Sequence, residues 1–145
     1  MNFKNIPLLI TSAINPVANY TNLKNQKERI NATKKSISFW INIGIKKIIL
    51  CDGSGYDLKK NFSNLIDKQN QTHQIELISF KNDHKSVKKL GKGFGEGEII
   101  NKALKTSEFL KNSDFFMKCT SKLWVENFFE VSKNFNGIFL SDVQG

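Results

Sequence analysis

Five short apolar runs, spaced by longer stretches of helical periodicity, constrain this chain more than any other feature. The runs are "IPLLITSAI" (6–14), "KKIILCDGSG" (46–55), "QIELISF" (74–80), "DFFMKCT" (114–120) and "GIFLSDV" (137–143). Each is short and apolar enough for a buried strand, and turn-forming residues bound most of them. Between the first two runs, Ile30, Ile37, Trp40 and Ile41 keep a helical spacing, with Gly44 placed to end a helix over 27–43. Leu58, Phe62, Leu65 and Ile66 form one stripe of a second helix over 56–68. Residues 81–95 read as a polar, Gly-rich connection. A third helix over 96–111 carries Ile99, Ile100, Ala103 and Leu104 on one face, and a short fourth covers 123–135. The alternation predicts an α/β fold: a single domain over 1–145 with a mostly parallel, Rossmann-like sheet of about five strands and helices on both faces.

In such a sheet, ligands bind outside the carboxyl ends of the strands. The loops expected there are "TSAINPVANYTN", "CDGSGYD", "KNDHKSVKKLGKGFGEGE" and "CTSK". They gather the glycines and polar residues, whereas the strands are apolar. The 145 residues are enough for one modest core.

The net charge is +9, from 22 Lys plus Arg against 13 Asp plus Glu. The lysines are scattered in pairs such as Lys34-Lys35, Lys46-Lys47 and Lys88-Lys89, and Arg29 is the only arginine. That pattern fits either a solvated surface or an affinity for anions. It argues against sequence-specific nucleic-acid reading, which favours bidentate arginine. Cys51 and Cys119 each lie in or at the end of an apolar run. They read as buried free thiols in a reducing, cytoplasmic setting. No apolar stretch approaches the roughly 18 to 20 residues of a membrane helix. His73 and His84 stand alone, without a ligand set at metal spacing.

Gly91, Gly93, Gly95 and Gly97 give G-x-G-x-G-x-G, which is neither the dinucleotide fingerprint nor a Walker A loop. Lys92 beside those glycines, just before a helix, suits a diphosphate over a helix N-terminus; a flexible connection is the alternative. Glu96 and Glu98 complement the helix dipole but would repel a phosphate. Asp52 ends the second strand, where it either accepts from ribose hydroxyls or closes an Asx-type turn with Gly53. "KCTSK" (118–122) adds two lysines and two hydroxyls at the same edge.

Four segments carry a resemblance to a known family: "IPLLITSAINP", "ERINATKKSISFWINIGIKKIILCDGSG", "GKGFGEGEIINKALKTSEFL" and "DFFMKCTSKLWV". They resemble the nucleotide-sugar-binding half of GT-A-type glycosyltransferases, and more narrowly the bacterial enzymes of surface-polysaccharide synthesis. The most specific part is 91–124. The resemblance implies transfer of a sugar from a nucleotide-activated donor to a glycan or lipid-linked acceptor. It places the protein in the cytoplasm or peripherally at the inner face of the membrane. It carries nucleotide contacts over to Thr11, Ser12 and Asp52, and Arg29 matches less closely; Gly93 and Gly95, from the reading of the glycine loop, are the candidates beside the phosphates. Lys92 and Lys122 are the candidates to stabilise the departing phosphate, and no general base is identified.

Two departures stand out. Where the metal-binding Asp-x-Asp of this fold belongs, the chain reads Lys118-Cys119-Thr120-Ser121-Lys122, so no metal and no other cofactor is expected. The subfamily's Thr-Gly-Arg turn reads Thr120-Ser121-Lys122. Relatives of this kind are commonly longer, with an acceptor-binding half, so the chain ending at "SDVQG" reads as a truncated product, a fragment or a decayed copy, open to pairing with a second copy or a partner subunit. The alternative from another class is a non-catalytic α/β module that binds nucleotide or another anion.

Overall fold

The computed structural model describes residues 2–15, 23–67 and 73–121. A 3-10 turn at Phe3–Asn5 leads into β1 (Leu8–Ser12), followed by α1 (Leu23–Asn42), β2 (Lys47–Asp52), α2 (Lys59–Asp67) and β3 (Gln74–Ser79). Then come α3 (His84–Leu90), α4 (Lys92–Thr106), α5 (Glu108–Lys111) and β4 (Met117–Thr120). The helix expected over 123–135, the strand over 137–143 and Lys122 lie outside the described residues.

Among the described residues all three strand pairings are parallel, in the order β3-β2-β1-β4. The fold is therefore the α/β class expected, with four strands described. β1 is buried along its whole length, as a central strand covered on both faces must be. β3 ends the row of described strands, and its burial is interrupted.

The strand order explains the two layers. The chain steps from β1 to β2 to β3 in one direction, then returns past β1 to β4. Parallel crossovers are right-handed in nearly all proteins, so reversing the direction of travel moves the connecting helix to the opposite face. Accordingly, Ile30, Ile37 and Trp40 of α1 and Phe62 of α2 pack with Leu8, Ile10, Ile48 and Leu50. Ile99 and Ala103 of α4 and Leu110 of α5 pack with Leu9, Ile49, Cys51 and Ile78 on the other side. Alternate residues of the central strands thus serve two separate cores.

Gly44 ends the turn after α1 at φ +99°, its N–H bonding to the Ile41 carbonyl, as the sequence predicts. The glycine-rich segment differs from expectation. Residues 81–95 are not a connection up to Glu96: α3 occupies 84–90, and α4 begins at Lys92. Gly93, Gly95 and Gly97 therefore lie within the helix. Each costs about 1 kcal/mol of helix propensity relative to Ala, but burial of Ile99 and Ala103 further along outweighs that. Gly91 breaks the two helices at φ +91°. The expected helix over 96–111 is likewise divided at Ser107. There the Ser107 hydroxyl caps α5 by accepting from Leu110 N–H and donates to Glu76 of β3 at 2.6 Å.

Candidate functional site

The register sets side by side the polar residues that end the strands. Thr11 lies opposite Cys51 on one side and Thr120 on the other, and Ser12 lies opposite Asp52. The strand order reverses at β1, so the crevice between the carboxyl ends of β1 and β4 is the topological switch point.

Two carboxylates occupy this edge in different ways. Asp52 is fully buried and accepts four hydrogen bonds. Its Oδ2 receives the Ser12 hydroxyl at 2.7 Å and Ile14 N–H at 2.8 Å. Its Oδ1 receives Ser54 N–H at 2.8 Å and the Ser54 hydroxyl at 2.6 Å. Ser54 in turn accepts from Asn15 N–H at 2.9 Å. A carboxylate offers about four lone-pair positions, so this one is saturated by the protein. The Asx-type reading accounts for the Ser54 bonds, and the Ser12 and Ile14 bonds extend it into a clamp between the loops after β1 and β2. Asp52 lies beneath the edge rather than on it, and Ser12 is committed to the same clamp.

Gly53 fits this clamp by its lack of a side chain. A Cβ there would stand 2.7 Å from Ile99 Cγ1 and 2.8 Å from Asn82 Oδ1. Asn82 N–H donates to the Gly53 carbonyl at 2.8 Å, joining the loops after β2 and β3. Gly95 packs against the Asn82 side chain from the α4 side, where a Cβ would meet Asn82 Nδ2 at 3.2 Å. Gly95 is thus a close-packing glycine rather than an open loop residue. Gly93 has open space around it.

The second carboxylate is Glu96, in the second turn of α4. Its Oε1 accepts from the Thr11 hydroxyl at 2.8 Å and pairs with Lys118 Nζ at 2.6 Å. The side chains of Lys118 and Glu96 are 11% and 32% exposed, so this pair faces solvent on one side while Thr11 lies buried behind it. Leu9 and Lys118 are register partners, as are Thr11 and Thr120, which brings Lys118 under α4. In the sequence Glu96 reads only as a charge that would repel a phosphate, and Lys92 and Lys122 stand out rather than Lys118. The available signal was helical spacing: Glu96, Ile99 and Ala103 at i, i+3 and i+7 share one face. Lys92 is the first residue of α4, and its side chain is not among those described.

Arg29 reaches the edge from α1, its guanidinium donating to the Ala13 carbonyl at 3.1 Å. Gln26 donates to Asn15 Oδ1 at 2.6 Å in the same loop. Cys51, one residue before Asp52, is unsuited to nucleophilic work. Burial, with a smaller contribution from Asp52 and partly offset by Lys102, pushes its thiol up to about 12. Among the described residues no group of three or more His, Cys, Asp or Glu could hold a metal ion. No described helix is long and apolar enough to cross a membrane. No protein-family model matches the chain, and no curated protein or solved structure matches it.

Proposed function

We propose that this chain is a glycosyltransferase-like domain that binds a nucleotide-activated sugar and serves surface-polysaccharide assembly. The observation that carries the reading is the polar set Thr11, Glu96 and Lys118, gathered at the switch point of a parallel sheet. Ligands of open α/β sheets bind at that position. The reaction would displace a nucleoside phosphate from the anomeric carbon by an acceptor hydroxyl, with charge growing on the departing phosphate. Preorganised cations stabilise such charge. Lys118 joins Lys92 and Lys122 as a candidate for that task, while Glu96 holds Lys118 in place. Asp52 acts one layer below, fixing the loops that border the nucleotide.

The test is a thermal-shift and calorimetric screen of nucleotide sugars, nucleoside diphosphates, nucleosides and inorganic phosphate. A ligand at 100 times its dissociation constant should add about 2.7 kcal/mol to stability. A nucleotide sugar should bind with a preference for its base, and EDTA should leave that affinity unchanged. Equal shifts from inorganic phosphate and every nucleotide would replace the reading with a plain anion-binding module. No shift from any nucleotide would remove both.

A further inference from the structure

We infer that the corner between α3 and α4 is a docking surface for an anionic membrane. Leu90, the last residue of α3, is 59% exposed, and Phe94, in the first turn of α4, is 36% exposed. They flank Gly91, where even an added Cβ would meet nothing within 4 Å. The corner therefore projects into open space with two large apolar side chains at its tip.

The charge on its α3 side is one-sided, while on the α4 side Glu98 and the Lys118-paired Glu96 follow Phe94. Residues 81–92 hold five lysines, at 81, 85, 88, 89 and 92, against one carboxylate, Asp83. Lys81, Lys85, Lys88 and Lys89 are exposed. Asp83 caps the far end of α3, accepting from Lys85 N–H and the Ser86 hydroxyl. Lys88 and Lys89 also complement the carbonyl end of α3, but that role gives no reason for Leu90 and Phe94 to stand in solvent. Apolar side chains that enter the headgroup boundary, ringed by lysines that meet anionic headgroups, account for both features. A nucleic-acid surface would engage the lysines and leave Leu90 without a partner. The only arginine, Arg29, lies instead on α1 against the Ala13 carbonyl.

Phe94 precedes by two residues Glu96, which bonds to Thr11 at the carboxyl edge. Docking here therefore brings that edge close to the lipid headgroups. The docking itself does not rest on the proposed sugar transfer.

The experiment is vesicle co-sedimentation of the full chain. It compares pure phosphatidylcholine with phosphatidylcholine containing about one third phosphatidylglycerol, at low and high salt. The parent should bind the anionic vesicles at low salt and not the neutral ones. Leu90→Ser with Phe94→Ser should weaken binding by roughly tenfold or more. Lys88→Glu with Lys89→Glu should abolish it, since each lysine near an anionic surface is worth about fivefold. Lys35→Glu with Lys60→Glu makes the same net-charge change on the opposite face of the sheet and should leave most of the binding intact. All six positions are exposed, so the thermal transitions should stay close to the parent's. Equal binding to neutral vesicles would overturn the inference, as would an apolar variant that binds like the parent. So would a chain that ignores vesicles yet holds a single-stranded RNA oligonucleotide through Lys88 and Lys89.

Discussion

Asp52 and Glu96 are two carboxylates at one sheet edge, and they do opposite work. Asp52 ends a central strand, is fully buried, and has every acceptor position filled by Ser12, Ile14 and Ser54. Glu96 hangs from a helix above the same edge, is about one third exposed, and shares its oxygen between Thr11 and Lys118. Buried polar groups must find partners within the protein, because losing water without a replacement costs several kcal/mol. A group that has found them all is structural. A group with one side open can exchange a partner for a ligand. Depth at the edge, rather than residue type, separates the clamp from the candidate contact.

The largest expected effect is on the clamp. Asp52→Ala strips the acceptor from four buried donors and should cost about 3 to 5 kcal/mol of stability, read as a lower urea midpoint at unchanged slope. A loss under about 1 kcal/mol would mean that the clamp is dispensable and that Asp52 can turn toward a ligand after all. Next in size is Gly53→Ala, whose methyl group must displace Ile99 and Asn82 and should cost about 1 to 3 kcal/mol. Wild-type stability in that variant would show that α4 can move off the clamp without penalty.

Glu96→Gln sharpens the comparison from the other side. It keeps a hydrogen-bond acceptor for Thr11 and removes the ion pair with Lys118, so stability should change by no more than about 1 kcal/mol. Removing a negative charge from the edge should at the same time tighten nucleoside diphosphate binding about fivefold, seen by calorimetry. A Glu96→Gln variant as unstable as Asp52→Ala would erase the distinction between the two carboxylates. The last effect appears only at alkaline pH and concerns Cys51, beside the clamp. Its thiol titrates near 12 in the folded chain against a reference of 9.0. The unfolded chain therefore releases this proton first, and folding stability should fall as pH rises from about 9 toward 12. Below 9 the contribution is fully present. Comparing the alkaline slope of the parent with that of Cys51→Ala isolates it; equal slopes would show that Cys51 is not held in a buried, water-poor site.

Much of the fold was legible in the sequence because burial on both faces leaves little choice of residue. "LLITS" and "KIILCD" could hardly be anything but central parallel strands. The α1 stop at Gly44 was legible for a similar reason, since few residues other than glycine adopt φ +99°. The glycine-rich segment misled for a physical reason as well. Local propensity disfavours a helix through Gly93, Gly95 and Gly97, and only the packing of Ile99 and Ala103 against β1 and β2 reverses that preference.

The sequence by itself determined the fold class, because strand and helix periodicities are properties of neighbouring residues. It also determined that polar residues and glycines collect at the ends of the strands. Which carboxylate is saturated and which stays open was decided only by tertiary structure. Asp52 and Ser54 are two residues apart, but Ser12 comes from another strand 40 positions away, and Thr11 meets Glu96 across 85. Whether an acceptor is filled depends on donors brought together by the register of β1, β2 and β4, and that register exists only once the two cores have closed on the sheet.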